Sequence, residues 1–349
     1  MKNKYLKILS IFLILVLALG SFAACGQKGN AKVISGIYSY MQSEGHIDKD
    51  ESLTDAAFYD PGDSLTDWAM LFAFEAGKEK AGAKDEYLAD LEKSVTEAYA
   101  RDTKFSDFKA TEWERIALAV LAAGGDPTSF GKDPSGTPID LIRDGIFCWD
   151  MTGELDWQGS NALIYALLVI NSAGAEEPGD ATYTEESILE KLLTYQGDDG
   201  SFGLAAPGGD VDMTAMALQA LACYYSTGRE DVDQAVERGL EFLSNQQVKG
   251  GYYRFGDGYS CESCAQAILA MAALGIDPEK DERFMKAGKS AEDALLSFRN
   301  EDGGFGTGFE KDGSLMKSEI ETSRQAGCAL LALEKLRKTG NGRFYDFDD

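Results

Sequence analysis

Six segments of this chain repeat apolar and small residues at the spacing of one helix face. The pattern is clearest in DMTAMALQALACYY (212–225), ESCAQAILAMAALG (262–275) and ETSRQAGCALLALEKL (321–336). Runs that alternate β-branched with polar residues, as half-buried strands do, are absent from the sequence. The pattern therefore predicts an all-α chain.

Each of the six segments opens on an acidic residue that precedes an alanine by five or six positions. A first helix is predicted before each of them, at 33–43, 84–101, 137–147, 184–196, 231–246 and 289–299. Six helix pairs without a sheet must bury their apolar stripes on one another, and the small residues of the second helices suit an inner ring. We therefore predict a closed (α/α)6 toroid as a single domain over 33–340, followed by a tail at 341–349.

The first residues are typical of an export signal. MKNKYLK supplies three lysines, ILSIFLILVLALG is a short apolar run, and small residues lead to Cys25. The stretch FAACG (22–26) resembles the bacterial lipoprotein box, in which the cysteine is lipidated. We predict a signal peptide at 1–24, a tether at 25–32 and an outward-facing protein held at the bacterial cell membrane by lipid on Cys25. The alternative is an ordinary secretory signal that contains a cysteine.

Charge and cysteine content narrow the choice of partners. The net charge is −26, and it falls to about −29 once the three lysines of residues 1–24 are removed. So acidic a chain repels nucleic acid, and we expect no nucleic-acid partner. The five cysteines after Cys25 are odd in number and mostly lie in apolar helical contexts, which predicts buried thiols.

The turns that precede three of the apolar segments repeat one another. LLTYQGDDGSFG (192–203) aligns without gaps on LLSFRNEDGGFG (295–306), and FLSNQQVKGGYY (242–253) lies between them in the same register. These turns resemble the glutamine- and aromatic-containing repeat of the terpenoid cyclase and protein prenyltransferase (squalene cyclase-like) superfamily. The resemblance implies an (α/α)6 barrel whose inner helices line a central cavity, but it does not fix the function.

Each branch of that superfamily implies its own chemistry. The segment DVDMTA resembles the terpene cyclase motif, which would make Asp212 a general acid with Asp210 beside it, although Met213 replaces the third aspartate. Prenyltransferases hold zinc through Asp, Cys and His, whereas here Cys261 and Cys264 have no local histidine, so we expect no metal and no cofactor. The motif of the thioester branch is absent from the sequence.

The six acids also permit a binding function. An acid at a helix start stabilises free backbone N–H groups, which alone explains its position. Because parallel inner helices start at one rim, the acids would also form an acidic mouth. Aromatic residues beside them suit sugars, flat organic ligands or cations. The candidate binding residues are Asp67, Trp68, Glu112, Trp113, Asp156, Trp157, Asp212, Tyr252, Glu262, Phe305 and Glu321.

The sequence thus predicts a tethered, non-catalytic toroid that binds a small molecule, glycan or protein at the acidic and aromatic mouth of its barrel. A cyclase-like enzyme that uses Asp212 as general acid is one alternative. A structural interaction module of the cell envelope is the other. A sealed apolar cavity beside Asp212 would favour the enzyme, and a barrel centre filled with side chains would favour the module.

Overall fold

The computed structural model describes residues 29–347, and over that range the chain is built from helices. Residues from Val33 onward form one compact unit. Within the described range, no helix has both the length and the apolar character needed to cross a membrane. The α-helices are α1 Ala31–Glu44, α2 Ser64–Glu75, α3 Ala83–Tyr99, α4 Thr111–Ala122, α5 Ser160–Ala173, α6 Glu185–Leu193, α7 Val211–Leu221, α8 Glu230–Gln246, α9 Cys261–Ala273, α10 Ala291–Leu296 and α11 Ile320–Thr339.

Short elements complete the chain between these helices. Two antiparallel hairpins pair β1 with β2 and β3 with β4, with Arg254 opposite Tyr259 and Phe305 opposite Glu319. The remaining bounds are β1 Arg254–Phe255, β2 Gly258–Tyr259, β3 Phe305–Gly306, β4 Ser318–Glu319, 3-10 turns at Leu53–Asp55, Leu155–Gln158 and Glu282–Phe284, and a π-helical turn at Arg143–Phe147.

Six of the helices form a closed inner ring. Each of α2, α4, α5, α7, α9 and α11 packs against the next, and α11 packs back against α2. The outer layer also closes, because α1 meets the last repeat: the Tyr40 hydroxyl donates to the Ser318 carbonyl at 2.8 Å. The predicted (α/α)6 toroid is confirmed.

The small residues explain which helices are inner. Ala215, Ala217 and Ala220 of α7 are buried, as are the alanines at matching places on α5 and α9. A helix that is flanked on two sides and covered by an outer helix has little room for large side chains, so alanine lets the backbones approach. The inner ring could therefore be predicted from composition at helical spacing.

The third outer helix differs from its prediction over 137–147. Regular helix is limited there to a short start at Leu141 and the π-helical turn, because Pro138 precedes it and Gly145 faces Trp113. A Cβ on Gly145 would lie 2.3 Å from the Cβ of Trp113. The close approach of this turn to α4 replaces the regular outer helix.

The repeated turns share one hydrogen bond that fixes a buried aromatic ring. The backbone N–H of Phe202 donates to Thr214 Oγ1 at 2.9 Å, and that of Phe305 donates to Ser323 Oγ at 2.8 Å. In the middle copy the N–H of Tyr253 donates to Cys264 Sγ at 3.5 Å. Cys264 thus stands where the other repeats have a hydroxyl, which gives it a structural role.

That equivalence corrects the gapless register of the middle turn. Gly200 and Gly251 both have positive φ, at 88° and 87°, and both pack on the backbone of the following outer helix. They lie 51 residues apart, whereas the gapless alignment predicted 50. Because of this extra residue, Tyr253 and not Tyr252 occupies the buried aromatic position of the turn.

Candidate functional site

Four inner helices show the same pattern of exposure at their starts. One residue is partly exposed or, in the case of Glu321, exposed, the next three are buried, and the fourth residue after it is partly exposed. Because the outer layer covers the other side of these helices, the exposed pair at i and i+4 faces the barrel axis. With Trp68 from α2, these pairs line an axial bowl, defined by Trp68, Asn161, Tyr165, Asp212, Met216, Glu262, Gln266, Glu321 and Gln325.

One wall of the axial bowl is aromatic. The ring centroids of Trp68 and Tyr165 lie 5.7 Å apart. The Arg324 guanidinium lies 5.2 Å from the centroid of the Trp68 ring and forms an ion pair with Glu321. Burial opposes ionisation of Glu321, but the charge of Arg324 outweighs it and holds the pKa of Glu321 below its usual range. Burial raises the pKa of Tyr165 to about 12, although Arg324 acts against it. Tyr165 is therefore a neutral hydrogen-bonding group.

The opposite wall is a ladder of amides and carboxylates. Gln219 Nε2 donates to Gln266 Oε1 at 2.9 Å, and Gln266 Nε2 donates to Gln325 Oε1 at 2.9 Å. Gln325 in turn donates to Glu321 Oε1 at 3.2 Å. These bonds fix the side chains of three neighbouring helices, so the wall is a preorganised array of donors and acceptors.

Asp212 is the least satisfied carboxylate in this wall. Its Oδ1 is buried and has no hydrogen-bond partner, while Ser263 and Glu262 lie nearby. Burial raises the pKa of Asp212 to about 6, Asp210 and Glu262 add to the rise, and the Ser263 hydroxyl opposes it. Asp212 therefore changes protonation state near pH 6, and such raised values are common for functional carboxylates.

We expect Asp212→Asn to stabilise the protein at pH 7.5 by about 1–2 kcal/mol, a value reduced for partial exposure. A pKa raised on folding favours the folded state at low pH, and that contribution is lost as the pH rises through about 6. The advantage of the variant should thus vanish near pH 4. Urea unfolding from pH 4 to 8 measures it.

Asp210→Asn is the matched control, because asparagine also caps helices well and should change stability little. Asp210 Oδ1 accepts from the N–H of Met213 at 2.9 Å, so it is the N-cap of α7. An Asp212→Asn variant that loses stability at pH 7.5 but not at pH 4 would show that the fold needs the Asp212 charge.

Glu114 is an interior acid that the sequence did not single out. Its side chain is fully buried, neither carboxyl oxygen has a partner, and burial raises its pKa well above the usual range. Glu114 lies near enough to Tyr165 to raise the pKa of that hydroxyl, and Tyr165 packs on Trp68. The spacing from acid to alanine pointed to Glu112 instead. The feature that could have identified Glu114 is an acid within an apolar helical run.

Three of the six predicted acids line the axial bowl, namely Asp212, Glu262 and Glu321. The expected places of Asp67 and Asp156 at the mouth are corrected, whereas Glu112 stays a predicted binding residue. Asp67 is fully buried and pairs with Arg115, which also binds the partly exposed Glu112 at 2.5 Å. Asp156 lies in the turn before α5 and accepts from the Tyr195 hydroxyl at 2.7 Å, so the inward position on α5 belongs to Asn161.

The predicted aromatic residues also separate into groups. Trp113 and Phe305 are fully buried in the core, which corrects their expected place at the mouth. Trp157 is 62% exposed on the rim loop before α5. Tyr252 stacks on Tyr259 with ring centroids 4.4 Å apart. Of these residues, Trp68 alone reaches the axial bowl.

The described cysteines are unpaired, and the histidine lies away from the axial bowl. Cys148, Cys223, Cys261, Cys264 and Cys328 are free thiols. The last three are buried, as predicted, whereas Cys148 and Cys223 are partly exposed. His46 is exposed on a loop far from Asp212 in the chain. Over residues 29–347, no cluster of three His, Cys, Asp or Glu residues is placed to hold a metal ion. Cys25 lies outside the described residues, so the lipid anchor stays a prediction.

The axial bowl is shallow. Below Tyr165, Met216 and Gln266 the gap has no room for a water molecule, because Tyr345 enters from the other end of the barrel. A separate cavity of about 110 Å³ lies beyond Tyr345. The site is therefore open to solvent above and closed below.

Comparisons with known proteins agree with this architecture. Residues 190–342 match the family described as the squalene-hopene cyclase C-terminal domain. No curated protein sequence matches the chain. The unsaturated glucuronyl hydrolase of Bacillus sp. GL1, which is responsible for glycosaminoglycan degradation, aligns with a TM-score of 0.55 and 17% identity over 92% of this chain and 98% of its own.

Two further solved structures align over similar lengths. The polysaccharide lyase BACCELL_00875 has a TM-score of 0.53 and 12% identity, covering 88% of this chain and 97% of its own. The Scytonema type II terpene cyclase MstE, as a variant with its product merosterolic acid A, has a TM-score of 0.52 and 13% identity over 87% and 96%. The chain is therefore an α/α toroid over most of its length, and residues 190–342 match the squalene-hopene cyclase C-terminal domain family.

Proposed function

We propose that this protein binds a neutral sugar, as a free saccharide or as the end of a glycan, in the axial bowl without chemical conversion. The observation that carries the proposal is the pairing of an aromatic wall with a facing wall of amides and carboxylates. A sugar ring has an apolar face that packs on aromatic rings and hydroxyls that bond to such donors and acceptors.

The charge of the axial bowl favours a neutral ligand. Asp212, Glu262 and Glu321 face one cation, Arg324, which Glu321 already holds. An anionic ligand would meet repulsion from the carboxylates and from the net charge of −26. The glucuronyl hydrolase and the polysaccharide lyase carry names that refer to carbohydrate, which supports a sugar on this fold as well.

Titration of the purified protein with glucose, galactose, mannose and N-acetylglucosamine tests the proposal. We expect saturable binding of at least one sugar, measured by calorimetry and by quenching of tryptophan fluorescence. The absence of saturation by every sugar of the panel, with a folded protein, would overturn it.

Cyclisation of a prenoid substrate is a second candidate, favoured by the pKa of about 6 and the unpartnered Oδ1 of Asp212. The shape of the site opposes it. A polyprenyl chain needs a closed apolar pocket of several hundred Å³, roughly 300–1,000 Å³ for pockets of that kind. The axial bowl is shallow and polar. A cyclised product from geranylgeranyl substrates that disappears in Asp212→Asn would replace the binding proposal.

An interaction module of the cell envelope is favoured by the side chains that fill the barrel axis below Tyr165 and by apolar side chains on the rim. Trp157, Leu204 and Phe255 are exposed on loops that precede inner helices. Exposed apolar residues at one end of a protein often mark a partner surface. Protein capture that depends on Trp157 and Phe255, without any sugar binding, would favour this candidate.

A further inference from the structure

The C-terminal segment, residues 341–347, packs into the end of the barrel opposite the axial bowl. Phe344 is buried, and the Ser172 hydroxyl donates to the carbonyl of Tyr345. Lys335 Nζ donates to the carbonyl of Asp346 at 2.5 Å. These bonds run from α5 and α11 to the segment, so its backbone is fixed on two sides of the ring.

Tyr345 is the residue that reaches the barrel axis. One void beside it is lined by Tyr165, Met216 and Gln266 of the axial bowl. The other is the cavity of about 110 Å³, lined by Ser172, Cys223 and Ala273. Leu168, Gln219 and Tyr345 line both voids. Tyr345 therefore forms, together with Leu168 and Gln219, the partition between the two voids.

The same ring also supports the aromatic wall from below. The Tyr345 hydroxyl interacts with Tyr165, and both hydroxyls respond to the charges of Arg324 and Glu321. Substitution of Tyr345 would therefore remove a hydrogen-bonding partner of Tyr165, whose ring packs on Trp68.

We propose that Tyr345 is the floor of the ligand site and the residue that sets ligand length, so that the axial bowl accepts one terminal sugar unit and excludes longer insertion. This inference rests on the proposed sugar binding for its ligand. The physical basis is the shared lining, since Tyr345 lies with Leu168 and Gln219 between the void below Tyr165 and the cavity beyond it.

The floor can be removed without breaking the inner ring, because the ring closes through helices that lie outside the segment. Gly340 has a φ of 84°, and a Cβ on Gly342 would lie 2.4 Å from the carbonyl oxygen of Ala272. These two glycines let the segment turn beneath α9. The inner ring itself closes through α11 and α2, which precede the segment.

The test compares Tyr345→Ala with Phe347→Ala. Phe347 belongs to the same segment and packs on the core, but it lines neither void, so its variant is the matched control. Calorimetry with glucose oligomers of one to five units should show no length dependence in the parent and in Phe347→Ala. In Tyr345→Ala the pentamer should bind at least about fivefold more tightly than the monomer.

A second readout does not depend on sugar binding. N-phenyl-1-naphthylamine, a neutral apolar dye, should fluoresce on binding to Tyr345→Ala and not to the parent or to Phe347→Ala. If Tyr345→Ala takes up the dye but no variant binds sugar, the role of Tyr345 as the floor is supported and the proposed sugar binding is overturned. If Tyr345→Ala does not fold, Tyr345→Leu, which keeps an apolar side chain but shortens it, replaces it.

The proposal fails if the folded variant neither takes up the dye nor acquires a length preference. It also fails if Phe347→Ala behaves in the same way as Tyr345→Ala, because general loosening of the segment would then explain the result. Circular dichroism establishes that each variant is folded.

Discussion

Replacement of Arg115 by methionine is expected to lower the free energy of unfolding by about 3–5 kcal/mol at pH 7.5. Asp67 is fully buried, and Arg115 is the cation that compensates it. Asp67 also accepts from the Tyr87 hydroxyl at 2.7 Å and from the Gly62 N–H at 2.9 Å, but neither group carries a charge. Loss of Arg115 leaves a buried carboxylate without a counter-ion. Guanidinium unfolding measures the deficit.

The double variant Asp67→Asn with Arg115→Met is the control. Removal of both charges should restore most of the lost stability, because the cost arises from the unpaired carboxylate. With Arg115 in place, burial still holds the pKa of Asp67 at about 6, and loss of the arginine removes the main opposing effect. Protonation of Asp67 then removes the unpaired charge in Arg115→Met. The loss of unfolding free energy in this variant should therefore be smaller at pH 5 than at pH 7.5. A deficit of the same size in the double variant would contradict this explanation.

The acids of the inner helices show how far the sequence could predict the site. The spacing of apolar and small residues gave the helices, their order and the closed ring, since these depend on periodicity within each segment. Which residue of an inner helix faces the barrel axis depends on the rotation of that helix about its own axis, and this rotation is set by packing against neighbouring helices. For α7, α9 and α11 the opening acid faces the axis. On α2 the axial residue is Trp68, next to the predicted Asp67, and on α5 it is Asn161.

The floor of the site lay beyond prediction for a different reason. Tyr345 belongs to a short polar and aromatic stretch without helical periodicity, and its partners Ser172 and Tyr165 are far away in the chain. Contacts of that kind leave no local pattern in a single sequence. The repeat turns are the opposite case, because Gly200 and Gly251 satisfy a backbone requirement that recurs in every copy.

Trp68→Ala is expected to weaken sugar binding in the axial bowl by about 2 kcal/mol, or roughly thirtyfold in Kd. Trp68 supplies the largest aromatic face of the site, and the Arg324 guanidinium and the Tyr165 ring hold it in place. Glu321 still pairs with Arg324 in the variant, so the charge of the wall should not change. Calorimetric titration with the sugar that binds the parent measures the loss.

Trp157→Ala is the matched control, because it removes a tryptophan from the rim while leaving the axial bowl intact. Trp157 is 62% exposed, so the substitution should alter neither stability nor sugar affinity beyond about twofold. Trp68→Phe should recover part of the affinity, since a smaller aromatic face still packs on the sugar ring. Full affinity in Trp68→Ala together with a large loss in Trp157→Ala would move the site from the axis to the rim. In that case the exposed apolar side chains of the rim loops, and not the ladder of glutamines, would be the surface that this toroid presents to its ligand.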